Sequence, residues 1–143
     1  MDWNYYNTLI TVSSDCPAQR GMIPPDKKSG RTKPSIEFEL IANHPYTYTQ
    51  EEILYEVHVR HKEIPEDELA MRGVQLKDEF FRKPMPCLRA SMLPKKYGWG
   101  IHFDADGKMA LVPMESPDYQ HFLDDGASGG VKLVPAMRNA KKK

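Results

Sequence analysis

The hydrophobic and polar positions along the chain switch between two periods. Thr8-Leu9-Ile10-Thr11-Val12 concentrates β-branched and apolar residues and predicts a first strand, closed by the turn chemistry of Ser13-Ser14-Asp15-Cys16-Pro17. A Pro-rich stretch at about 15–33, with Pro24-Pro25 and Ser29-Gly30, has no periodicity and predicts a long loop. From Pro34, the residues Ile36, Leu40 and Ile41 share a helical face that Asn43-His44-Pro45 stops. The alternative for 34–43 is a strand, because Ile36, Phe38 and Leu40 alternate with Glu37 and Glu39; the helix is preferred. Thr49, three residues before Glu52, forms a capping-box pattern that predicts a helical turn. Beyond it, Tyr55, Val57 and Val59 alternate with Glu56, His58 and Arg60 and predict a half-buried strand.

The next segment has the helix signals in order. Pro65 suits the first helical position, and Glu66, Asp67 and Glu68 suit the positive end of the dipole. Leu69, Leu76 and Phe80 fall on one face with Val74 and Phe81 beside them, and Arg82-Lys83-Pro84 ends the helix. Gly73 weakens its centre by about 1 kcal/mol relative to Ala. Cys87-Leu88-Arg89-Ala90 predicts a short strand, followed by a loop around Pro94. Trp99 to Phe103 and Met109 to Val112 flank Asp104-Ala105-Asp106-Gly107, a strong hairpin signal. Ser116-Pro117-Asp118 opens a helix carrying Tyr119, Phe122 and Leu123, with Gly126 to close it. Val131 to Val134 is a last strand and 139–143 a frayed basic tail. The expectation is one α+β domain over 1–143, a mostly antiparallel sheet with helices packed on one face.

Composition narrows the class. The chain has 143 residues, 40% apolar and 28% charged, which fits a globular domain that needs neither a metal nor a disulfide for stability. No apolar run approaches the roughly 20 residues of a membrane-spanning helix. Met1 to Tyr6 lacks the basic region and apolar block of a secretory signal. Cys16 and Cys87 form no CxxC pair, so the expectation is a soluble cytoplasmic protein with free thiols, a single disulfide being the alternative. The formal net charge is zero, but it is laid out in blocks. Residues 50–80 hold nine acids against four bases, 81–102 hold five bases and no acid, and 103–125 hold six acids against Lys108. Alternating blocks suit internal pairing, whereas a nucleic-acid binder shows one dominant basic face, so nucleic acid is a disfavoured partner.

Two segments, Asn43-His44-Pro45-Tyr46 and Cys87 to Gly100 with its Lys95-Lys96-Tyr97-Gly98-Trp99-Gly100 run, are distinctive. With Phe103 to Lys108 they make the chain resemble, over nearly its whole length, an uncharacterised domain-of-unknown-function family of small soluble bacterial and fungal proteins. That resemblance implies a single domain and transfers no activity, cofactor or catalytic residue.

The candidate ligand site read from the residues is Arg89, Ser91, Lys95, Lys96, Tyr97, Trp99 and His102. Fixed cations, an aromatic wall and an imidazole beside two glycines suit an anionic, partly apolar small molecule. The competing reading makes the glycines loop-formers, Trp99 core and the lysines solvated. His102 with Asp104 is a candidate proton-transfer pair, although Asp104 is better explained by the turn. His58 and His61 would converge on a metal only on a helix, and no further ligand stands at a matching spacing, so no metal or cofactor is expected. Ser91 and Lys95 miss the S-x-x-K spacing, and no G-x-S-x-G, P-loop or Rossmann fingerprint is present. Cys87 beside Arg89 is read as a small buried residue. Trp3, Tyr5 and Tyr6 contribute either core or a homodimer seam.

The leading function is thus a ligand-binding or interaction module for an anionic, partly apolar small molecule, with the Pro24-Pro25 loop as a lid. The alternatives are a small enzyme using His102, with His58 or Tyr97, for proton transfer, and a weak nucleic-acid contact through 81–102 and the lysine tail.

Overall fold

The fold is that of a computed structural model describing residues 4–83 and 87–140. Trp3, Pro84 and the lysines at 141–143 lie outside the described residues. Four strands form one sheet in the order β3-β2-β1-β4: β1 (Thr8–Thr11), β2 (Trp99–Phe103), β3 (Met109–Pro113) and β4 (Lys132–Pro135). Two of the three pairings are antiparallel, with Ile10 opposite Ile101 and Ile101 opposite Leu111, while β1 and β4 run parallel. The expected α+β class and predominantly antiparallel sheet are what is observed; the parallel β4 is the added feature.

Helix α1 (Lys33–Asn43) is the helix preferred for that segment, with Thr32 Oγ1 accepting the N–H of Ser35 and Pro34 in the first turn. Helix α2 (Gln50–His61) begins at the anticipated capping box: Thr49 Oγ1 accepts from Glu52 N–H, and Glu52 Oε1 from Thr49 N–H. It continues through 55–60, where a strand was expected. Once the first turn is nucleated, each further residue adds a bond cheaply, and Ile53 and Val57, four apart, bury on one face. The alternation of Tyr55, Val57 and Val59 is accidental.

Helix α3 (Glu66–Arg82) occupies its expected span but bends at Arg72 (φ −126°, ψ 15°), next to Gly73. It buries only Phe80, and Val74 is exposed. The strand expected at Cys87–Ala90 is instead a 3-10 turn, Leu88–Ala90, and the loop expected around Pro94 is a short helix, α4 (Met92–Lys96). Buried Gln50 explains the first correction, because its side-chain oxygen captures the N–H of Leu88 at 2.9 Å and removes it from any ladder. Ser91 Oγ accepts the N–H of Leu93 and starts α4, where Pro94 sits in the first turns and costs no helical bond. Helix α5 (Pro117–Ala127) starts at Ser116 as expected but runs past Gly126. A Cβ at Gly126 would fall 2.4 Å from Leu133 Cγ, so this glycine permits helix–strand contact and does not end the helix.

Strand alternation sends successive residues to opposite faces of the sheet. Ile10, Ile101, Phe103 and Met109 pack with Ile36, Leu40, Ile41, Ile53 and Val57 of α1 and α2 and with Leu93 of α4. Leu9 and Val112 pack with Tyr119, Phe122 and Leu123 of α5. Helices α1, α2 and α4 therefore share one face, and α5 covers the other, where helices on one face alone were expected. The hairpin turn is built as the Asp-Gly signal implied: Asp104 Oδ1 accepts from the N–H groups of Asp106 and Lys108, and Gly107 sits at φ +80°. Among the described residues no helix is long and apolar enough to cross a membrane.

Candidate ligand-binding cavity

Between α1, α2, the end of α3 and the Cys87–Met92 segment lies a cavity of about 310 Å³. Its walls are Pro34, Leu54, Val57, Phe80, Leu88, Ala90 and Met92; its polar residues are Lys33, Glu37, His58, Cys87 and Ser91. Glu37 is buried, and Ser91 Oγ donates to its Oε1 in a very short contact. The same hydroxyl oxygen accepts from Leu93 N–H, so Ser91 is fixed in this pose. Burial pushes the Glu37 carboxyl up to about 7, against the opposing effects of the Ser91 hydrogen bond and the Lys33 charge.

Lys33 precedes Glu37 by one helical turn, the spacing of an intrahelical ion pair, yet no such pair closes between them. Both groups line the cavity instead. His58 rests against the Phe80 ring at 4.7 Å between centroids, and its pKa is lowered by burial and then by Lys62, Lys33, His61 and Lys83. The Tyr5 hydroxyl donates to Cys87 Sγ at 3.3 Å, and burial with that contact pushes the phenol up to about 12. Both cysteines are free.

Of the seven residues singled out in the sequence, Ser91 lines this cavity and the other six lie elsewhere. Arg89 Nε donates to the Pro135 carbonyl at 2.7 Å. Lys95 offers its carbonyl to Asn139 Nδ2, and Lys96 is exposed at the end of α4. Tyr97 and Trp99 pack against the main core, and both bind the long loop: Tyr97 O accepts from Met22 N–H, and Trp99 Nε1 donates to Met22 O. Gly98 allows this approach, since at φ +77° a Cβ there would lie 2.3 Å from Arg20 O. His102 is on the α5 side of the sheet, stacked on Phe122 at 4.2 Å, with Nδ1 2.9 Å from the hydroxyl of Tyr46. Its imidazole pKa is lowered by burial, against Asp104 and Asp125. His58 and Tyr97 belong to the opposite face, so the three side chains proposed as proton-transfer partners occupy separate places.

Over residues 1–142 the chain matches the model of a family described as a family of unknown function, DUF6157. The chain belongs to this family. No curated protein and no solved structure matches it. The DUF6157 match carries no function, and Glu37, the buried acid in the cavity lining, was passed over in the sequence as one polar member of an alternating stretch. The signal was available once 34–43 is helical: Glu37 is four residues before Ile41 and three before Leu40, on the buried face. His58 was considered for metal and as a proton-transfer partner of His102, not as part of a cavity with Glu37. Its segment is helical, the stated condition for convergence, but His58 lines the cavity while His61 borders a separate recess with Arg31 and Arg60. Among the described residues no three His, Cys, Asp or Glu side chains are grouped to hold a metal ion.

Proposed function

We propose that this chain binds a small anionic, partly apolar molecule in the cavity between α1, α2 and α4. The observation that carries the reading is the buried carboxyl of Glu37 in an apolar hollow whose lining also includes the exposed Lys33. A carboxyl in such surroundings costs stability, and a group with a strongly displaced pKa in a concave apolar site is a physical mark of binding or catalysis. The apolar walls suit the body of a ligand. Lys33, in the lining, suits its charge. At about 310 Å³ the hollow is at the small end of ligand pockets.

The test is a thermal-shift screen of the full chain against short-chain carboxylates, phosphates and sulfonates, repeated on Ala90→Phe, which fills the hollow from the 3-10 turn. A ligand at a hundred times its Kd stabilises the native state by about 2.7 kcal/mol, a readily measured rise in Tm. The expected result is a rise in the unmodified chain that is absent in Ala90→Phe. No rise with any compound, or an equal rise in both proteins, contradicts the reading.

A further inference from the structure

Within that reading, and resting on it, we infer that the ligand's head group is a carboxylate that shares one proton with Glu37, so that the site takes up an acid together with a proton. The geometry leaves little else for this carboxyl to do. Its Oε1 is committed to the Ser91 hydroxyl, and among the described residues no other donor reaches the group. The remaining oxygen belongs to a side chain that lines the hollow. Two carboxyl groups brought together in an apolar site cannot both stay ionised; one proton between them makes one a donor and the other an acceptor. Lys33, exposed in the same lining and already acting on Glu37 through its charge, supplies the countercharge for the single negative charge left.

No neighbouring group competes for the proton. On α2, His58 is disfavoured as a cation by burial and by Lys62, Lys33, His61 and Lys83, the last just beyond α3. On the segment after α3, the Cys87 thiol receives the Tyr5 hydroxyl, and that phenol keeps its own proton to about 12. Ser91 is already donating to Glu37. The carboxyl of Glu37 is the group that changes state near neutrality, its value of about 7 placing the change where binding can drive it.

The experiment is calorimetric titration of the full chain with hexanoate at pH 8 in buffers of low and high ionisation enthalpy, and its affinity from pH 6 to 9, in the unmodified protein and Glu37→Gln. Hexanesulfonate and hexanamide serve as head-group comparisons. The account expects uptake of close to one proton per hexanoate and affinity falling about tenfold per pH unit above 7. In Glu37→Gln the amide donates in place of the acid, so hexanoate binds with no proton uptake and a flat pH profile. Hexanoate binding to the unmodified chain without proton uptake overturns the shared proton while leaving the binding reading intact. Hexanesulfonate binding where hexanoate does not, or hexanamide binding equally well, overturns the carboxylate assignment alone. Failure of all three, with the screen above also silent, removes both.

Discussion

Replacing Glu37 by Gln tests the physical state of the cavity without any ligand. In the unfolded chain this carboxyl ionises near its ordinary value of 4.5, and in the folded protein near 7. Between those values the native state binds more protons than the unfolded state, so stability falls as pH rises. The contribution is full below about pH 4.5 and is lost as pH climbs through 7. The gap corresponds to about 3 kcal/mol, the penalty the folded protein bears above neutrality for an ionised Glu37. Gln has nearly the same shape, can still accept from the Ser91 hydroxyl, and carries no charge. Glu37→Gln should therefore match the unmodified chain near pH 4.5 and exceed it by about 3 kcal/mol at pH 8.5, roughly 10 °C in Tm for a chain of this size. Urea unfolding followed by circular dichroism at half-unit pH intervals measures this, and subtracting the two curves removes the titrations of His58, His102 and every surface group. A difference that is flat with pH, or a variant less stable at pH 8.5, refutes the buried, easily protonated carboxyl.

The other predictions concern packing. Gly98→Ala should cost at least about 2 kcal/mol, because a Cβ meets Arg20 O at 2.3 Å and φ is +77°; urea unfolding measures the loss, and a red shift of Trp99 fluorescence should accompany release of the loop. Leu93→Ala, at a fully buried side chain of α4, should lose about 2–5 kcal/mol in the same assay. Val74→Asp should stay within about 0.5 kcal/mol of the unmodified chain, since Val74 is 80% exposed on α3; a larger loss would mean this face is covered in solution.

Local signals carried most of the fold. The α1 proline, the Thr49–Glu52 box, the Asp104–Gly107 turn and the Ser116 cap each act within a few residues, and each lies where the sequence put it. The misreadings came where a distant partner decides the outcome. Nothing near Cys87–Ala90 reveals that Gln50 will take the Leu88 N–H, and the alternation in Tyr55–Val59 is legible as a strand until the capping box upstream is followed through. The site suffered most from this. Lys95-Lys96-Tyr97-Gly98-Trp99-Gly100 is conspicuous in sequence, yet its tyrosine, indole and glycine hold down the long loop. Glu37 looks like an ordinary surface charge and is buried in a cavity only when α2 and the Cys87–Met92 segment pack beside α1, with Lys33 left exposed in the lining. Ser91 was found because it lies in the conspicuous segment, and its partner across the chain was not.

The most direct test of the cavity as a binding site is a methyl-detected NMR titration with hexanoate. Met92 lines the hollow, and Met71, 86% exposed on α3, serves as an internal reference in the same spectrum. The account predicts a saturable shift of the Met92 methyl, lost in Ala90→Phe, while the Met71 signal stays in place. An unmoved Met92 methyl at saturating hexanoate, or equal movement of both signals, contradicts it.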